Sequence, residues 1–136
     1  MIVLDENIFD YDFLPDYKNW YKGKITTIRD LRVGTLIKDE AIPTILRNVK
    51  QPTFITTNVA DFWRRLPAHN AYCIICFELP NERIKEIPAA LRKILLLKEF
   101  NTKSARMGKM LRVRHNHIDY CEAGSNKIFT LLWPAL

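Results

Sequence analysis

Glycine is scarce in this chain. Four glycines in 136 residues leave no G-x-G-x-x-G or P-loop to cradle the phosphates of a nucleotide cofactor, so an enzyme using one is poorly supported. No apolar run approaches the roughly 18 residues of a membrane span. The amino-terminal stretch also carries acids where a secretory signal would carry lysines. The expected address is the cytoplasm, with no membrane partner. Cysteine is sparse as well: Cys73, Cys76 and Cys121 are an odd number without the spacing of a disulfide framework, in keeping with a reducing compartment. No internal repeat, low-complexity segment or linker divides the sequence. A single domain over 1–136 is expected, long enough to bury a core unaided.

Charge is present but unevenly spread. No base precedes Lys18, whereas Asp5, Glu6, Asp10, Asp12 and Asp16 do. Residues 1–80 carry ten bases and ten acids, and residues 81–136 carry eleven and five, so the net charge of +6 lies in the last third. An acid-rich pole and a basic region suit a metal site beside a polyanion-binding surface, and a solvated basic face is the plainer alternative.

The amino terminus sets the pattern. Ile2, Val3 and Leu4 form an apolar strand-like run, and Asp5, Glu6 and Asn7 follow directly. Ligands of open α/β sheets bind beyond the carboxyl ends of parallel strands, where Asp5 would then stand. A helix N-cap by Asp5 or Asn7 is the simpler reading. Phe9 to Tyr21 is dense in aromatics but broken by Pro15, predicting a short or interrupted helix. Lys24–Ile28 alternates as a second strand, and Gly34 permits a turn before Leu36 and Ile37.

Ala41, Ile42, Ile45, Leu46 and Val49 recur at helical spacing, with Asp39 at the N-cap position, Glu40 just inside and Pro43 in the opening turns. Thr53–Thr56 reads as a third strand. Thr57, Asn58 and Asp61 then open a helix carrying Val59, Phe62, Trp63 and Leu66, with Asn58 or Asp61 as an ordinary cap the alternative.

Tyr72–Leu79, apolar except for Glu78, suits the middle of a parallel sheet. The C-x-x-C within it is not a metal motif, because residues three apart on a strand face opposite sides. Buried structural thiols are the expectation. Asn81 stands where a cap would precede a stripe of Ile84, Ile87, Leu91, Ile94 and Leu95, and Pro88 either kinks that helix or starts its second half. Phe100–Lys109 is a basic connection. Met110–Ala123 then alternates about Asn116 and His117 as a hairpin, with Leu111, Val113 and His115 on one face and Arg112 and Arg114 on the other. Ile128–Trp133 adds an edge strand ended by Pro134.

Strands alternating with helices predict an α/β three-layer sandwich with a mainly parallel central sheet and a C-terminal β-hairpin. Right-handed crossovers align the strand ends. Asp5, the Asp39 and Glu40 pair, and Asn58 with Asp61 would then converge. Oxygen ligands without histidine or thiol favour Mg²⁺ or Mn²⁺, ions that orient an attacking water and bridge phosphate oxygens.

The segments IVLDENI, KDEAI, PTFITTNVADF and FNTKSARMG, in that order, resemble the small single-domain bacterial group of PIN-like nucleases with an LDEN start. The resemblance spans nearly the whole chain. It implies a PIN-like sheet and a divalent-metal endoribonuclease, often the toxin of a toxin–antitoxin pair, so that RNA and an antitoxin protein would be partners. Transferred by position, Asp5, Asp39, Asn58 and Asp61 would be the catalytic residues. Asp5, Asp39, Glu40, Asn58 and Asp61 would be the metal-ligand candidates. Asn58 stands where the family usually has an acid. A neutral amide leaves the site a charge short, to be compensated by Asp61, Glu6 or Glu40. Lys103, Arg106, Lys109, Arg112 and Arg114 would hold the RNA backbone. A catalytically silent RNA-binding or protein-interaction module is the competing reading, and a homodimer is compatible with either.

Overall fold

A computed structural model describes residues 1–31 and 38–133. The elements in chain order are β1 (Ile2–Leu4), α1 (Leu14–Lys18), β2 (Ile25–Thr27), α2 (Ile28–Leu31), a 3-10 turn (Asp39–Ala41), α3 (Ile42–Arg47), β3 (Thr53–Thr56), α4 (Val59–Phe62) and β4 (Cys73–Phe77). A second 3-10 stretch (Asn81–Glu86), α5 (Ile87–Ile94), α6 (Lys103–Arg106), β5 (Lys109–Val113), β6 (His117–Glu122) and β7 (Ile128–Leu132) follow. The Gly34 turn with Leu36 and Ile37, and the Pro134 stop, lie outside the described residues.

The strands form one sheet in the order β2-β1-β3-β4-β5-β6-β7. The first five run parallel, β6 folds back antiparallel on β5 as the hairpin expected over Met110–Ala123, and β7 pairs antiparallel with β6 as the expected edge strand. Alternation along the strands separates two cores. Ile2, Leu4, Ile55, Ile75, Leu111 and Val113 pack on one face against Tyr17 of α1 and the Ile87, Leu91 and Ile94 stripe of α5. On the other face Val3, Phe54, Ile74 and Met110 meet Ile28, Ile42, Leu46 and Phe62 from α2, α3 and α4. Every residue of β4 is fully buried, as an apolar strand covered on both faces should be. Cys73 belongs to the first core and Cys76 to the second, so the two thiols cannot share an ion. Burial pushes the Cys73 thiol up to about 12.

Several local expectations need correction. Asp39 does not cap a helix: Lys38 occupies that position without a side-chain bond, and Asp39 lies inside the 3-10 turn. Helix α3 begins only at Ile42, where Pro43 lacks an amide that the first turn could not have used. α4 stops at Phe62, because Trp63 turns extended and Arg64 adopts φ 58°, so Trp63 and Leu66 fall beyond the helix. Asn81 makes no cap either, since Pro80 precedes the 3-10 stretch. Pro88 resolves to the first turn of α5. His115 is exposed in the hairpin loop rather than on the Leu111 and Val113 face.

Candidate functional site

Strand order 2-1-3-4-5 has a consequence for location. The chain leaves β1 for β2 on one side and returns for β3 on the other, so the carboxyl ends of β1 and β3 flank a topological switch point, where such sheets open a crevice. Asp5 follows β1, and Thr56, Thr57 and Asn58 end β3. The β1–β3 ladder extends one step past the strand, with the Asp5 N–H donating to the Ile55 carbonyl at 2.9 Å. This fixes the Asp5 backbone at the crevice floor.

The Asp5 carboxylate is held on both oxygens. Oδ1 accepts the Glu6 N–H at 2.8 Å, and Oδ2 accepts the Thr56 hydroxyl at 2.7 Å. Thr56 is fully buried, and its Oγ1 accepts the Asn58 N–H at 3.0 Å. Burial raises the Asp5 pKa, and the Thr56 and Glu6 hydrogen bonds oppose that rise.

Asn58 is the N-cap of α4. Its Oδ1 accepts the Asp61 N–H at 3.3 Å, which orients the amide and turns Nδ2 outward. That NH₂ donates to Asp61 Oδ2 at 2.8 Å and to Asp39 Oδ2 at 3.4 Å. A single amide thus bridges two carboxylates. Burial raises the Asp39 pKa, and the Asp61 carboxylate, then Asp5 and Glu40, push the same way. Among the described residues no Lys or Arg forms a salt bridge with Asp5, Asp39 or Asp61.

Two adjoining clefts contain these groups. One of about 230 Å³ is lined by Asp5, Glu6, Asn7, Asp39 and Asn58 over Ile28 and Ile42. The other, of about 360 Å³, shares Asp39 and adds Glu40, Asp61, Arg65 and Leu66. The five metal-ligand candidates therefore line two clefts that have Asp39 in common. Their donors are carboxylate and amide oxygens, which match a hard divalent cation. Among the described residues no three His, Cys, Asp or Glu side chains are already gathered closely enough to hold an ion.

The chain matches no protein-family model, and no curated protein or solved structure matches it.

The basic candidates divide between the two edges of the sheet. Arg112 lies in register with Cys76, which lies in register with Thr56, so Arg112 shares the Asp5 edge. Arg112 and Arg114 both pair with Glu78. Lys109 instead begins β5 and Thr53 begins β3, at the amino ends of the strands. Arg106 is 5% exposed and is engaged internally, Nε donating to Thr53 Oγ1 at 3.2 Å and Nη1 to the Phe100 carbonyl at 2.9 Å. Lys109 donates to the Glu99 carbonyl at 2.9 Å and lies over the Phe100 and Tyr120 rings. Lys103, on α6, is exposed at this amino-terminal edge. The structure does not bring Lys103, Arg106 or Lys109 to the acidic cleft.

Sequence reasoning missed Thr56, whose hydroxyl links β3 to Asp5, while Arg65, a weaker candidate from its place soon after Asp61, lines the outer cleft. The signal for Thr56 was its place as the last polar residue of a buried strand. Glu78 stood out as the one charge in an apolar run, and its role is to hold the Arg112 and Arg114 guanidiniums together.

Proposed function

We propose that the chain is a PIN-like endoribonuclease dependent on Mg²⁺ or Mn²⁺ that hydrolyses RNA phosphodiester bonds, in the manner of the toxin of a toxin–antitoxin pair. The observation that carries this reading is the convergence of Asp5, Asp39 and the Asn58 and Asp61 pair, from three separate stretches of sequence, on two adjoining clefts at the switch point. Asp5 and Asp39 are the groups that would hold a cation, with Asp61 and Glu40 at the outer rim. When bound, such a cation would lower the pKa of a water and offset charge on a phosphate. The protein's own part is positioning. Thr56 and the Glu6 amide fix Asp5, and the Asn58 NH₂ holds Asp39 and Asp61 at one orientation. Arg112 and Arg114, at the same edge, would take backbone phosphates of single-stranded RNA.

One observation favours the second reading, a catalytically silent binding module. The Asn58 oxygen serves α4 and its NH₂ enters the cleft, a donor where a ligand oxygen would be needed. Incubation with labelled RNA and Mn²⁺ separates the two. The enzyme reading expects metal-dependent cleavage that Asp5→Asn and Asp39→Asn each abolish. No cleavage at millimolar Mn²⁺ with no rise in melting temperature would sink it and leave the module, whereas cleavage surviving both variants would sink it as the work of a contaminant or of another site.

A further inference from the structure

The sheet ends in two unlike edges. β2 is three residues long, a poor template for another strand. β7 is five residues long, with no charge and no proline in it, and its register with β6 runs unbroken. Within these described residues it therefore has no charge, proline or bulge to protect the edge. Of the exposed large apolar side chains among the described residues, Ile128 and Leu132 lie on it, 44% and 81% exposed.

The direction of its free backbone groups follows from one bond. The Trp133 N–H donates to the Asn116 carbonyl at 3.2 Å, and such bonds alternate along an antiparallel strand. Leu131 and Phe129 therefore exchange their bonds with Ile118 and Tyr120, their register partners. The N–H and C=O groups of Ile128, Thr130 and Leu132 point away from β6, to the open side. Their three side chains also share one face.

The geometry points to a homodimer closed by antiparallel β7–β7 pairing about a two-fold axis at Thr130. The occupant is a second copy because the strand complements itself. With Thr130 opposite its symmetry mate, Ile128 of each copy faces Leu132 of the other, so the two exposed apolar chains cover one another. All three outward residues then exchange both backbone bonds. Phe129 faces Leu131, and Lys127 faces Trp133 rather than another lysine, so the pairing opposes no like charges. This inference is independent of the nuclease reading.

Sedimentation of the full chain, from low micromolar to several hundred micromolar, tests it. A concentration-dependent monomer–dimer equilibrium is expected. Thr130→Pro removes an N–H that points outward, so it spares the β6–β7 ladder. It should weaken the dimer by about tenfold or more. Ile128→Lys with Leu132→Lys places like charges opposite each other twice and should weaken it similarly. Ile128→Lys with Leu132→Glu makes each facing pair complementary and should stay within about threefold of the parent. Circular dichroism confirms folding in each variant, and the two charge variants decide the matter alone if the proline variant unfolds. A monomer throughout the range, or a dimer indifferent to Thr130→Pro and to the double-lysine variant, overturns the proposal.

Discussion

Asn58 does two things with one side chain: its oxygen caps α4, and its NH₂ stands between Asp39 and Asp61. Aspartate caps helices as well as asparagine does, so Asn58→Asp keeps the helix start while turning a donor into an acceptor beside two carboxylates. In the metal-free chain this adds like-charge repulsion and should lower stability by about 1 kcal/mol. With Mn²⁺ the sign reverses, and calorimetry should show at least about tenfold tighter binding than in the parent. Equal affinities would remove the cleft as the metal site. Asp39 offers a pH test of the same cluster. Its pKa is raised in the folded state, so the folded chain binds the extra proton and stability falls as pH rises from the unfolded value, about 3.9, through the raised one. Asp39→Asn should therefore raise metal-free stability at pH 7 by about 0.5 kcal/mol, the scale of exposed charge pairs. The gain should be about halved near pH 4 and vanish about two pH units below it, and melting curves across that range check it.

Strand β4 shows why the elements form where they do. Five apolar residues buried on both faces tie the two cores together, so Ile75→Ala should cost about 2–5 kcal/mol by urea unfolding. A cost below about 1 kcal/mol would mean that the sheet does not pack as described. The strands were legible because burial imposes a pattern on side chains: β1, β3 and β4 stand within a residue or two of their expected ends, and the opposed thiols of Cys73 and Cys76 follow from the period of two. Helix ends were legible only in part, as at α4, which Asn58 caps. Asp39 and Asn81 have the chemistry of caps, yet Lys38 and Pro80 take those positions, because short 3-10 turns carry the chain into α3 and α5. The site was legible as a set of acids after strands. Its working parts were not, since the Thr56 hydroxyl reaches Asp5 across 51 residues and the Asn58 NH₂ reaches Asp39 across 19 residues. No local pattern encodes such contacts.

At the scale of the whole molecule, two basic regions that are neighbours in sequence become opposites in space. β5 runs parallel to β1, β3 and β4, so a chain passing from Lys109 to Arg112 crosses the sheet from its amino edge to the edge that carries Asp5. Lys103, Arg106 and Lys109 stay behind. Arg106 is enclosed, and burial lowers its pKa without expelling it, because Thr53 and the Phe100 carbonyl accept from its guanidinium. Arg106→Ala should thus act on stability, at about 2 kcal/mol or more for stranding the Phe100 carbonyl, while leaving RNA affinity unchanged in the folded fraction. Arg112→Ala with Arg114→Ala should do the reverse. If both guanidiniums contact phosphates, the slope of log affinity against log salt should fall by about 1.4, roughly 0.7 for each contact on a single strand. Some stability is lost as well, since Glu78 is left without its partners. Titrating the parent, Lys103→Ala and the double-arginine variant at several salt concentrations separates the two edges. A slope reduced by Lys103→Ala and untouched by the arginine pair would place the polyanion surface on the far side from the acidic cleft, and the cleft would then have no substrate track beside it.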